Sequence, residues 1–180
     1  ALVKMAGAVP VSLGIARDTP ESVREHLQRA AGCDLIVTTA GISVGEHDYL
    51  RGVLQSLGAE LLFWKLRMRP GAPVGFGLLD GVPWLGLPGN PVSTMVTFEL
   101  FVRPAIRAMA GRALPFRRTT SVRLAAKRGA WCTKSVQPAI HGAKKLLHAA
   151  LAQPVSERFQ CRSSSRRPSH QRAVTSWPRP

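Results

Sequence analysis

The chain has 180 residues, 45% of them hydrophobic, enough for one or two domains with a real core, and it carries a formal net charge of +15. That charge is unevenly placed: residues 1–110 hold ten Lys/Arg against nine Asp/Glu and residues 111–180 hold fifteen against one, so a basic folded domain is excluded. Cys33, Cys132 and Cys161 form no CxxC or Cys/His cluster, and no apolar run approaches the roughly 20 residues that span a bilayer, which excludes a common zinc module and a spanning helix and predicts a cytoplasmic protein without membrane contact.

Ala1–Ala6 reads as the end of a helix already under way, so the chain is expected to be a C-terminal piece of a longer protein. Val9–Ile15 alternates like a strand, and Thr19 then opens a helix as N-cap, with Pro20 at its first position and Val23, Leu27 and Ala30 on one face. Leu35–Thr39 is a continuous apolar and β-branched run, the pattern of a buried parallel strand. A glycine-containing loop, Ala40–His47, leads to a helix marked by Tyr49, Leu50, Val53, Leu54 and Leu57 and closed by Gly58. Three further strands follow at Leu61–Arg67, Val74–Leu78 and Val82–Leu87, separated by Pro70-Gly71 and Asp80-Gly81 turns. The last helix starts at Asn90-Pro91, and Pro104 is expected to kink or interrupt it. Strands alternating with helices predict an α/β domain over residues 1–110 with a largely parallel sheet.

Three stretches carry chemistry. In Leu87–Ser93, Asn90 is a good N-cap, Gly89 lets the backbone approach a ligand, and the free N–H groups of Pro91's helix would face an anion beside Ser93. An ordinary capped helix explains the same residues. In Thr38–Asp48, the loop emerges where open α/β sheets bind ligands; Gly41 and Gly45 can expose N–H groups, Ser43 adds a hydroxyl, and Glu46 and Asp48 pair two carboxylates able to hold magnesium or orient water. The simpler reading is that Asp48 caps the next helix and Glu46 is solvated. In Phe63–Gly71, a strand would point Lys65, Arg67 and Arg69 from one face, either as a row of cations for an anionic ligand or as a solvated edge. Asp18 is the remaining acid in a loop of this kind.

The segments TTAGISVGEHDY, FWKLRMRPGAP and GLPGNPVSTMVTFELFVRPAI, in this order and with ARDTPESV ahead of them, closely resemble the molybdopterin molybdenumtransferase family, known as MoeA in bacteria and as the E-domain of gephyrin in animals. CinA-like and MoaB-like proteins share the domain, and FWKLRMRPG together with LPGNPVS points to the insertion enzymes. The resemblance implies a three-layer MogA/MoaB-like molybdopterin-binding domain at 1–110, then the start of a small β-barrel domain at 111–127. It implies insertion of molybdate into adenylylated molybdopterin with release of AMP, assisted by magnesium (Mg2+), in a homodimer.

Carried over by residue, the family's functional acids match Asp18 and Asp48, with Asp48 the metal ligand. Its strand cations match Lys65 and Arg69, and its oxyanion turn matches Pro88, Gly89, Asn90, Pro91 and Ser93, beside Gly41, Ser43, Gly45 and Glu46 of the substrate loop. Two departures stand inside the motifs: Ala40-Gly41 replaces the family's Gly-Gly, and Ala72 replaces the Lys of its PGKP turn. From Lys127 onward the chain leaves the pattern. Residues 144–151 can form a short helix, and Ser163–Pro180 has the composition of a disordered segment. A coding frame lost near residue 127 explains the basic tail at 128–180 better than nucleic-acid binding, because no aromatic residues interleave its arginines. The function expected is molybdenum insertion. The alternatives are a molybdopterin-binding module without turnover and, from the tail alone, a nucleic-acid-binding protein.

Overall fold

The computed structural model describes residues 1–42, 49–68 and 70–118, together with Gly142, Lys145 and Leu151. Helix α1 (Leu2–Met5) is a single turn. Helix α2 (Pro20–Arg29) begins where the capping residues put it: Thr19 accepts a hydrogen bond from Ser22 N–H, and Pro20 fills a position whose N–H has no helical partner. Strand β1 (Ile36–Thr39) and helix α3 (Tyr49–Ser56) follow, and Gly58 at φ +77° turns the chain out of α3 while Ala59 N–H bonds back to Leu54 O.

Strands β2 (Glu60–Phe63), β3 (Gly75–Leu79) and β4 (Val82–Leu87) complete a sheet of order β1-β4-β3-β2. Asp80 and Gly81 both take positive φ, 52° and 78°, the conformation of a two-residue hairpin turn, so β3 and β4 are antiparallel. β2 also runs antiparallel to β3, whereas β1 lies parallel to β4. The described sheet is therefore mixed: β1 and β4 are parallel across a long connection that holds α3, β2 and β3, whereas β3 and β4 are antiparallel across a tight turn.

Helix α4 (Pro91–Thr97) runs through a π-helical turn, Phe98–Val102, into α5 (Arg103–Met109). The cause is Pro104. It has no N–H to donate back to Leu100, and the turn ahead of it widens until Arg103 N–H reaches Phe98 O. The interruption expected at this proline takes the form of a π turn in a continuous rod.

Helices cover both faces of the sheet, which makes the three-layer α/β arrangement. On one face Phe98, Phe101, Val102, Ala105 and Ile106 pack on Val74, Phe76, Leu85 and Leu87, and Leu151 joins them. On the other, Leu27 and Ala30 of α2 and Leu50, Val53 and Leu54 of α3 pack on Ile36, Leu79 and Trp84. Neighbouring residues of β4, Trp84 and Leu85, enter opposite cores, as the two-residue period of a strand requires. Arg117 donates to both carboxylate oxygens of Glu99, at 2.7 and 3.3 Å; this bond holds the Glu99 carboxyl below its ordinary range and fastens residue 117 to the rod.

Three expectations change. Val9–Ile15 forms no strand. Val9, Val11 and Ile15 are 74%, 67% and 95% exposed, because an alternating sequence becomes a strand only against a ladder partner and the described residues supply none. The strand expected at Leu61–Arg67 is β2, and it stops at Phe63. Residues 111–118 hold no strand, and the rest of the expected β-barrel remnant, with most of the basic tail, lies outside the described residues.

Two glycines give opposite expectations for stability. Gly52 sits exposed inside α3 with nothing within 4 Å of an added Cβ, so Gly52→Ala should raise the unfolding free energy by about 0.5–1 kcal/mol. A Cβ on Gly77 would stand 2.5 Å from Glu60 O of β2, so Gly77→Ala should lower it by about 1–3 kcal/mol. Urea unfolding of both variants checks the signs; equal effects would contradict the strand pairing.

Candidate functional site

Strand direction decides which loops meet. β1 and β4 are parallel and pair Thr39 with Leu87, so both chains leave the sheet at the same edge. β3 begins at that edge, with Gly75 opposite Gly86, and β2 ends there, with Phe63 opposite Phe76. The three stretches singled out from the sequence thus share one edge of the sheet. The opposite edge carries the Asp80-Gly81 turn.

Contacts join them. Ala40 N–H extends the ladder by bonding Leu87 O at 3.0 Å, and the Ala40 methyl lies 3.1 Å from where a Cβ on Gly89 would stand. Gly71 lies so close to Thr97 of α4 that an added Cβ would come within 2.6 Å of its methyl group. Leu66 N–H bonds Ala72 O at 3.0 Å and closes the segment between β2 and β3 into a loop. A glycine stands at each of these two approaches, where a side chain would hold the segments apart.

The Pro88–Ser93 turn is built as expected but spends its donors differently. Asn90 Oδ1 accepts from Val92 N–H and Ser93 N–H at 3.1 and 3.2 Å, and Thr94 N–H bonds Asn90 O at 2.8 Å. The donors expected to be free beside Ser93 are thus held by the cap, leaving the Ser93 hydroxyl and the positive end of the helix to face a ligand. Thr94 and Thr97 turn their hydroxyls back onto backbone carbonyls, Thr94 onto Pro88 O and Asn90 O and Thr97 onto Ser93 O and Thr94 O. Pro88 is buried while Gly89, Asn90 and Pro91 are exposed, so the turn is anchored at its start and open at its tip.

Lys65 and Arg67 are exposed, but they do not project from a strand, since β2 ends at Phe63. The pairing of β2 with β3 is already irregular between Leu61 and Phe63 and goes no further, and Trp64 stacks on Trp84 at 5.6 Å with 17° between the planes. Arg69 lies outside the described residues, as do Ser43, Gly45, Glu46 and Asp48. Gly41, at φ +71°, packs on Leu50 of α3. Asp18 is exposed in the turn ahead of α2 and takes no part in the contacts that join the other stretches. Among the described residues no group of three or more His, Cys, Asp or Glu could hold a metal ion, and Asp48, the metal ligand that the resemblance implies, lies outside them. Burial and then the Asp34 carboxylate push the Cys33 thiol up, which disfavours the reactive thiolate.

Sequence reasoning missed two features. Arg51, in the first turn of α3, lies over the Trp64 ring at 5.6 Å, and the pairing of an α3 residue with one after β2 has no local signal. The Thr38 hydroxyl, near the end of β1, is buried with no partner among the described residues.

Ala40 stands at φ +66°, a left-handed conformation that costs a residue with a Cβ about 1–2 kcal/mol. Ala40→Gly is expected to raise stability by about 0.5–1 kcal/mol after the extra flexibility of glycine in the unfolded chain is counted. It should also make Gly89→Ala cheaper, since the nearest atom then becomes the residue 40 Cα, 3.6 Å away. A double-mutant cycle by denaturant unfolding checks this: strict additivity would mean that the two loops do not touch.

The family described as a probable molybdopterin binding domain matches residues 1–108. Among curated relatives, "Molybdopterin molybdenumtransferase" of Nostoc sp. is 42% identical over 117 residues, 63% of this chain and 27% of the relative. The Haemophilus influenzae protein of the same name is 39% identical over 103 residues, 57% of this chain and 25% of the relative. "Molybdopterin molybdenumtransferase 2" of Mycobacterium tuberculosis is 38% identical over 125 residues, 65% and 30% of the two chains. The crystal structure of the molybdopterin biosynthesis MoeA protein from Pyrococcus horikosii superposes with a TM-score of 0.54 at 29% identity, covering 62% of this chain and 27% of that one. The chain spans about a quarter of the length of these relatives. With more than half of its residues matched, and with the three-layer α/β fold in place, this chain belongs to the molybdopterin-binding domain family, as a MoeA-like member.

Proposed function

We propose that this chain carries the molybdopterin-facing part of a molybdenum insertion site, at which molybdate is placed in adenylylated molybdopterin and AMP is released. The observation that carries the reading is the meeting of Ala40-Gly41, the Trp64–Gly71 loop and Pro88–Ser93 at one edge of the sheet, in a chain whose relatives are named molybdopterin molybdenumtransferase. Lys65, the Ser93 hydroxyl and the positive end of α4 would bind molybdate or the substrate's phosphates, with Arg69 as a second cation. Fixed donors of this kind, aimed at oxygens that gain charge as the phosphoanhydride breaks, stabilise the leaving AMP. Asp48 and Asp18 are assigned to positioning the attacking group, and Asp48 to magnesium if it binds. Ala72 removes a cation from the same turn, which lowers the affinity expected for the oxyanion.

A second reading, a molybdopterin-binding module without turnover, is favoured by the share of the relatives that this chain spans, 27% for the Nostoc protein. The resemblance assigns the full reaction and the homodimer to the intact family members, and the chain alone is expected to bind without sustained turnover. Incubating the purified chain with molybdate and adenylylated molybdopterin separates the readings: AMP release supports the enzyme, binding without release the module. Tight, salt-sensitive RNA binding that survives removal of residues 128–180 would overturn both.

Asn90→Asp tests the turn itself. Aspartate caps a helix as well as asparagine does and suits the helix dipole, so stability should stay within about 0.5 kcal/mol of the parent. A negative charge beside Ser93 should nevertheless weaken molybdate binding by at least roughly tenfold, about 1.4 kcal/mol, measured by calorimetry. Unchanged affinity would reduce the turn to a helix cap.

A further inference from the structure

Lys65 is held between two anchors on opposite faces of the sheet. Leu66 packs with the core under α4 and α5, and its N–H is fixed to Ala72 O. Trp64 packs with the core under α2 and α3 and stacks on Trp84. Trp84 is itself immovable: it is fully buried, and its six-membered ring lies across Gly75 and Gly86, which face each other in the β3–β4 register. A Cβ on Gly75 would stand 2.8 Å from that ring and one on Gly86 2.6 Å. The Arg51 guanidinium lies over the ring of the half-buried Trp64, 5.6 Å from its centroid. Trp64, the residue before Lys65, is thus in contact both with exposed Arg51 and with the fully buried Trp84.

We infer that Arg51 is a positioning residue for the proposed anion site, holding Trp64 on Trp84 and so fixing where the Lys65 ammonium stands. The inference rests on the site reading above. An exposed arginine has three possible roles here, and each moves different measurements. As a mere surface charge it would touch neither the indole pair nor the ligand. As a direct ligand it would act by charge, which lysine keeps. As the outer plate of the stack it acts by its flat, weakly hydrated guanidinium, which lysine lacks. The geometry over Trp64 is that of the third role.

The test uses the full chain, with sodium molybdate as the probe in calorimetric titrations at low salt and the exciton couplet of the stacked indoles read by far-ultraviolet circular dichroism. Arg51→Ala should diminish the couplet and weaken molybdate binding about 2- to 5-fold, the range an exposed cation–π contact supplies. Lys65→Ala should weaken binding by roughly tenfold or more. The double variant should bind no more weakly than Lys65→Ala alone, because Arg51 acts through that lysine. Arg51→Lys should fall between Arg51→Ala and the parent in both readouts. Additive losses in the double variant, full affinity in Arg51→Lys, or a lost couplet with unchanged affinity would overturn the inference. A Lys65→Ala variant that binds as the parent does, or a parent that binds no molybdate, would overturn the anion-site reading itself, and the couplet would still report whether the stack exists.

Discussion

Everything placed at the candidate site depends on the parallel pairing of β1 with β4. That ladder, from Ile36 opposite Trp84 to Thr39 opposite Leu87, aims two loops that are almost fifty residues apart in sequence at the same edge of the sheet. One further hydrogen bond, Ala40 N–H to Leu87 O, carries the pairing past the last strand residue and seats Ala40 against Gly89. Parallel strands need a long connection, and the connection here contains α3 and both antiparallel strands. The same pairing thus puts the end of β2 and the start of β3 beside the two loops. The ladder selects the edge at which a ligand can meet backbone, cation and helix terminus together, as open α/β sheets commonly do.

Close approach at that edge is bought with small residues, and the arrangement is tight. Gly71 lies against Thr97 and Gly89 against Ala40, so the loop after β1 bears on the turn that starts α4 and the loop after β2 on the last residue of that helix. Ala40 is the exception in this economy of space. Its methyl group occupies a left-handed backbone where the resemblance leads one to expect glycine, and strain is stored at the edge that the loops share.

What could be read from the sequence was what local chemistry decides. Thr19-Pro20 and Asn90-Pro91 start helices because a side-chain oxygen and a missing N–H answer the same local need, and Asp80-Gly81 turns because both residues reach positive φ. Pro104 disturbs its helix for an equally local reason. What misled was any feature that needs a distant partner. Val9–Ile15 has the alternation of a strand and no ladder to join among the described residues. Lys65 and Arg67 read as a row on one strand face because the point where β2 stops pairing with β3 cannot be seen from residues 61–67 alone. Arg51 was passed over because nothing near it in the sequence announces a partner thirteen residues away across a helix and a strand. Among the expected site residues, the Pro88–Ser93 turn and Gly41 stand at the shared edge, Asp18 stands apart from the contacts there, and Asp48 and Arg69 lie outside the described residues.

The central claim is that three separated stretches form one oxyanion-binding edge. Amide chemical shifts of the isotope-labelled chain, followed during titration with sodium molybdate, address it most directly. The account predicts that the amides of Ala40-Gly41, Lys65-Leu66 and Gly89–Ser93 move together with a single affinity, while those of the Asp80-Gly81 turn at the far edge stay still. Shifts confined to the basic residues beyond 118, or spread over both edges alike, would contradict it.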